Sequence, residues 1–187
     1  MVVAKNDVAH RSLSAQFAAH TAGRLYLALV YGCPLATAGT IRSHLARHPR
    51  DRMRWASTDD PEHGKEAVTH WRRLGTVDGV SLVQCRLETG RTHQVRVHLT
   101  EAGHPLLADE VYRAGRTRLP TELRHRLAAL GHRPMLHAWS LSLDHPTSGE
   151  RMRWTAPPPA DFAGLVTDLG LSDSLPDQLQ DESVAGS

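Results

Sequence analysis

Cysteine is scarce. Cys33 and Cys85 are the only two in 187 residues, too few for a disulfide framework, and a reducing cytoplasm is the expected compartment. Lysine is equally scarce, two against twenty arginines. No apolar run is long enough to span a bilayer, and Met1 to Ala4 is too short for the apolar region of a signal peptide, so no membrane partner is expected. No HExxH or CxxC pattern occurs. His93 and His98 are five residues apart, about 140° round a helix, and do not share a face. His44 and His48 could share one, but Pro49 follows at once and no carboxylate lies at ligand spacing. No metal site is expected. Dinucleotide-binding and P-loop glycine patterns are missing, and Thr147-Ser148-Gly149 falls in a hairpin rather than on a nucleophile elbow, so no cofactor is expected.

What is present suffices for one domain with a real core, since 40% of the residues are apolar. The net charge of +2 is unevenly spread. Residues 168–187 hold five carboxylates and no Lys or Arg, which leaves 22 basic against 15 acidic residues in 1–167, a body of +7. The domain is therefore set at 1–167, and 168–187 is expected to be an acidic disordered tail. A basic body suits an RNA partner, whose phosphates supply sequence-independent affinity, although a solvated charged face carries the same signature. The densest patch is 42–54, with five arginines and one aspartate around Pro49. It reads as a loop, and its arginines Arg47, Arg50, Arg52 and Arg54 either contact RNA or merely keep the loop soluble.

The rest of the chain is organised around Leu87 to His98, where a strand end, a glycine turn, two arginines and two histidines crowd together. Val80 to Leu87 alternates as a strand and Thr89-Gly90 breaks it. Thr92 is the expected cap of a helix that Gly103 stops, with Arg96 one turn inside. Arg91 and Arg96 then stand at a strand-to-helix turn, a place that favours an anion. Earlier, Asn6 opens a short helix running to His20, and Leu25 to Val30 forms a strand with leucines on one face and Tyr26 on the other. By spacing alone Tyr26 is a half-buried core aromatic. Trp55 and Trp71 also read as core or half-buried. Glu66–Leu74 and Val80–Leu87 should pair across a Gly75–Gly79 turn. A helix over Leu119–Leu130, a hairpin of Met135–Leu143 with Arg151–Trp154, and a helix over Ala160–Leu169 complete the pattern.

Gly90-Arg91-Thr92-His93-Gln94-Val95-Arg96-Val97-His98, followed by Gly103-His104-Pro105-Leu106-Leu107-Ala108-Asp109 and Tyr112, resembles the signature of the RluA-type pseudouridine synthases. Arg24 to Gly32 resembles the strand that carries that family's active-site tyrosine, and Leu136-His137-Ala138 and His145-Pro146 fall in family order. The resemblance implies an α+β fold: a mostly antiparallel mixed sheet flanked by helices, a partial pseudouridine synthase fold. It implies isomerisation of uridine in structured RNA, rRNA or tRNA, without cofactor or metal. It makes Arg96 the cation that holds a catalytic carboxylate and Tyr26 the platform beside the target base. Arg91 and His93 would order the turn or contact phosphate, and Asp109 would be structural. One element of the pattern is missing: the HRLD-x-x-T-S-G segment bearing the family's nucleophilic aspartate does not occur in these 187 residues. Met1 to Lys5 resembles the strand following it, so the nucleophile is expected upstream of Met1 and the chain is expected to be inactive alone. The alternative is a non-catalytic RNA-binding remnant.

Overall fold

A computed structural model describes residues 1–112, 119–131 and 133–176. Along the chain the elements are α1 (Asp7–Ala18), β1 (Gly23–Tyr31), β2 (Ala38–Arg47), β3 (Trp55–Thr58), β4 (Lys65–Val77), β5 (Val80–Leu87), α2 (Gln94–Glu101), α3 (Thr121–Ala129), β6 (Leu136–Asp144), β7 (Arg151–Thr155) and α4 (Ala160–Asp168). The seven strands form one sheet in the order β3-β2-β4-β5-β1-β6-β7. Each of its six pairings is antiparallel, within the α+β class expected. Among the described residues no helix is long and apolar enough to cross a membrane.

β1 lies inside the sheet between β5 and β6. Its residues Leu27 to Val30 are fully buried because helices cover both faces. Leu27 and Leu29 meet Leu123 and Leu127 of α3 and Phe162, Leu165 and Val166 of α4. Ala28 and Val30 face the other way, onto Val95 and Leu99 of α2 and onto Leu106, and Tyr26 packs against this second cluster. The extended piece around Leu106 is stitched to β1, with the Leu107 amide donating to the Leu29 carbonyl at 2.9 Å. At the chain start, the Asn6 side chain accepts from the Ala9 amide and caps α1 as expected.

Several expectations are corrected. The β4–β5 turn is not 75–79 but the pair Asp78-Gly79, both at positive φ (51° and 75°), as a two-residue hairpin with right-handed strand twist demands. Gly75 instead sits inside β4 at a register shift, where a side chain would run into Ser174 and Leu171. The basic segment is only half loop. Residues up to Arg47 belong to β2, paired with β4 and β3, and the loop proper is 48–54. Thr92 is exposed and is not the cap of α2; that position falls to His93 in the left-handed region, φ 57°. Gly103 ends the helix as expected, at φ 85°. The tail boundary also moves. Leu169 and Leu171 are buried in the cluster under β1, and Asp168 pairs with Arg126, so the packed body reaches residue 176. Residues 177–187 of the expected tail lie outside the described residues.

Candidate active site

Between β5 and α2 the chain makes a turn that one side chain holds. Gln94 is buried, and its amide is used at every valence. Its Oε1 accepts from the Thr89 hydroxyl (2.8 Å) and the Arg91 amide (3.0 Å). Its Nε2 donates to the Val68 carbonyl and the Thr69 hydroxyl, each at 3.0 Å. Thr69 thus accepts from Gln94 and is left to donate its own proton to Nδ1 of His98 (2.9 Å). That fixes the proton of His98 on Nε2, which donates to Ser43 Oγ at 3.0 Å. Burial pushes the His98 pKa down to about 4, against the opposing pull of Glu101, so the ring is neutral at physiological pH. This chain of bonds ties α2 to β4 and β2 and sets where Arg96 stands.

Arg96 projects from the first turn of α2 onto Asp109. Nε donates to Oδ2 at 2.7 Å and Nη2 to Oδ1 at 2.8 Å, a bidentate pair whose side chains are 15% and 1% exposed. Removing one partner of such a buried pair costs about 3–5 kcal/mol. Asp109 Oδ1 also accepts from the amides of Val111 and Tyr112, both at 3.1 Å, so the carboxylate shapes its own turn. The structural role expected for Asp109 fits this geometry. Arg96, expected to wait for a carboxylate, already holds one, and only its Nη1 has no hydrogen-bond partner among the described residues.

Tyr112 completes the cluster. Two guanidinium groups lie over its ring, Arg96 with Cζ 4.7 Å from the centroid and Arg54 with Cζ at 5.4 Å. Its hydroxyl accepts from the Trp55 amide at 2.7 Å, which leaves its proton for Nδ1 of His93 at 2.9 Å. Burial, then the charge of Arg96, hold His93 below its ordinary pKa, consistent with a neutral ring that accepts at Nδ1. His93 therefore orders this cluster rather than offering a cation at neutral pH. Tyr26 stands elsewhere on the same side of the sheet as α2, half-buried, and its hydroxyl has no hydrogen-bond partner among the described residues.

The arginines taken as RNA contacts divide by geometry. Arg47 is exposed, stacks over Trp55 at 5.6 Å and donates to the Arg52 carbonyl. Arg54 is half-buried against Tyr112. Arg50 and Arg52 are exposed, with no side-chain bond among the described residues. Arg91 spans to β4, its Nε donating to the Glu66 carbonyl at 2.9 Å. The sequence singles out Arg91 and Arg96 by their place at the strand-to-helix turn, and Tyr26 only through the family resemblance. It did not bring out Gln94 or the pairing of Arg96 with Asp109, although an aspartate three residues before Tyr112 is a signal for a self-capping turn.

A sequence model described as RNA pseudouridylate synthase matches residues 1–101, more than half of the chain and the part that holds Tyr26, Arg91 and Arg96. The chain belongs to the RNA pseudouridylate synthase family. An uncharacterized RNA pseudouridine synthase of Synechocystis is 42% identical over 169 residues, which are 90% of this chain and 49% of that protein. Ribosomal large subunit pseudouridine synthase D of Zymomonas mobilis is 43% identical over 174 residues, 92% of this chain and 53% of that one. The RluA-type resemblance is thereby borne out. The chain spans about half the length of these curated relatives. Among solved structures, human RNA pseudouridylate synthase domain containing 1 superposes with a TM-score of 0.65 at 30% identity, over 84% of this chain and 63% of that one. Human RNA pseudouridylate synthase domain containing 4, at 22% identity and a TM-score of 0.70, has the same fold.

Proposed function

We propose that this chain provides the arginine and tyrosine part of a pseudouridine synthase site acting on uridine in structured RNA, rRNA or tRNA, in a reducing cytoplasm. The observation that carries the reading is Arg96. Its guanidinium is buried, anchored along one edge by Asp109, and has Nη1 left over for a second carboxylate. In the reaction the glycosidic bond from C1′ to N1 of uracil breaks, the base turns, C1′ bonds to C5, C5 gives up its proton and N1 takes one up. A nucleophilic carboxylate near the ribose needs a fixed cation to keep it ionised, and Arg96 Nη1 is such a donor. The Tyr26 ring is the platform for an extruded base, with its hydroxyl within the region of proton transfer. None of these steps calls on a cofactor or a metal.

The carboxylate nucleophile is the part this reading assigns to an HRLD-type segment, which the 187 residues do not contain. The test is a tritium-release or mass assay on a uridine stem-loop, using this chain and a chain extended upstream with such a segment. The extended chain should isomerise uridine and the 187-residue chain should not. In the extended chain Arg96→Ala should lower kcat by roughly 10²- to 10³-fold, as removal of a preorganised electrostatic donor does, and Tyr26→Phe should lower it too. Normal turnover in Arg96→Ala would remove Arg96 from the mechanism. RNA binding without isomerisation in the extended chain would favour the non-catalytic RNA binder instead.

A further inference from the structure

Arg24 lies on β1 two residues before Tyr26, hence on the same face of the strand, and its side chain crosses to the β5–α2 turn. Nη2 donates to the Glu88 carbonyl at 2.6 Å, and the ring of Phe17 in α1 sits 5.5 Å from Cζ. A β-carbon on residue 90 would come within 2.1 Å of Nη1. Gly90, whose φ is not in the left-handed region, is thus needed for the space beside this guanidinium rather than for its backbone. Arg91 is close enough for its charge to act on Arg24, as is the Tyr26 hydroxyl; burial pulls the Arg24 pKa down, Tyr26 raises it and Arg91 lowers it again.

Among the described residues neither of these two cations pairs with a carboxylate. Of the five N–H donors on Arg24 one meets an acceptor among the described residues, and Nε is buried with none. Arg91 uses Nε on a backbone carbonyl. The nearest acidic side chain in sequence, Glu88, points away: its carboxylate is bound to Nε2 of His70 at 2.5 Å and held below the usual carboxylate range chiefly by that bond. Two guanidinium groups near enough for their charges to interact each rest on a neutral carbonyl, one on either side of the β5–α2 turn, in a chain whose body is basic. Forked guanidinium groups match the oxygens of a phosphate.

We infer that Arg24 and Arg91, with Gly90 leaving room for the Arg24 guanidinium, form a phosphate site that takes a backbone phosphodiester of RNA next to the nucleotide facing Tyr26. The inference rests on the RNA reading above and adds a contact to it. Arg24 then does more than brace the turn: it fixes the strand of RNA beside the base platform.

The test is fluorescence anisotropy of the 187-residue chain with a labelled uridine stem-loop between 50 and 200 mM KCl. Loss of one phosphate contact lowers the slope of log K against log salt by about 0.7–0.9. Arg24→Ala should show that drop and bind roughly tenfold more weakly at the low-salt end, whatever the loop sequence. Gly90→Ala keeps both charges but displaces the Arg24 guanidinium, and should weaken binding in the same direction. The Arg24→Ala/Arg91→Ala double variant should lose less than the sum of the single losses, because both hold one group. A role as a brace alone would lower the Tm of Arg24→Ala and leave the salt slope unchanged, which overturns the site. Should Arg24→Ala not fold, Gly90→Ala with wild-type affinity and slope overturns it equally. Stabilisation of the wild type by millimolar inorganic phosphate, lost in Arg24→Ala while RNA affinity is not, would assign the site to free phosphate and overturn the RNA assignment. Failure of the wild-type chain to bind the stem-loop at all would instead refute the RNA reading on which the site rests.

Discussion

His98 shows how one buried side chain makes the site sensitive to pH. Its folded pKa, about 4, is below the ordinary imidazole value of 6.5, so between those values the unfolded chain binds more protons than the folded one. Stability is then complete above pH 6.5 and falls as the pH drops from 6.5 towards 4, by at most about 1.4 kcal/mol per pH unit from this group. His93, also lowered, adds in the same direction. Urea midpoints at pH 7.5 and pH 5 should differ, with the lower midpoint at pH 5, and His98→Gln should shrink that difference. Equal shrinkage in an exposed-histidine control such as His20→Gln would mean that His98 is not the source. At this scale the sequence names a residue only where a family motif carries it, as with Arg96 and Tyr26, whose roles are proposed above. It was opaque for Gln94 and His98, whose partners Val68, Thr69 and Ser43 lie on other strands, out of reach of any local pattern.

At the scale of elements, the pieces bounded by strong local chemistry were legible. Asn6 capping α1, Gly103 and Gly131 just past helix ends, and the turn residues between β6 and β7 each state their structure in a few neighbouring residues. β2 and β3 were not legible. Ala38 to Arg47 mixes Gly, Ser, His and two arginines, and it is strand only because β4 and β3 pair with it on either side. Gly75 is the instructive case, a glycine near a turn that is not part of it. It serves the close approach of the segment after α4: an added β-carbon would lie 2.6 Å from Ser174 Oγ and 2.8 Å from a Leu171 methyl. Gly75→Ala should therefore cost about 1–3 kcal/mol, as overpacking does, and should expose the chain after residue 168 to limited proteolysis. Gly79→Ala, at positive φ but with nothing nearby, should cost about 1 kcal/mol or less without that cleavage. Identical proteolysis of the two variants would show that Gly75 does not seat the C-terminal segment.

For the whole molecule the question is how a basic surface is joined to a site. The loop between β2 and β3 carries arginines of two kinds. Arg54 shares the Tyr112 ring with Arg96, so a change at Arg54 reaches the anchored cation as well as the surface. The side chains of Arg50 and Arg52 are exposed and make no bond among the described residues, so they offer charge alone. The double variant Arg50→Gln/Arg52→Gln should therefore keep its stability within about 0.5 kcal/mol. It should lower the salt slope of stem-loop binding by roughly 1.5, the value for two lost phosphate contacts, and do so evenly across RNA sequences. In the upstream-extended chain it should raise KM for the stem-loop and leave kcat at saturating RNA unchanged. Arg54→Gln should instead lower kcat as well, because it removes one of the two cations that hold Tyr112, and through Tyr112 the Trp55 amide and His93, around Arg96. A pair of variants that change KM and kcat alike would mean that the loop and the Arg96 cluster do not act as separate parts, and that the basic surface contributes to the site by holding it together rather than by gripping the RNA.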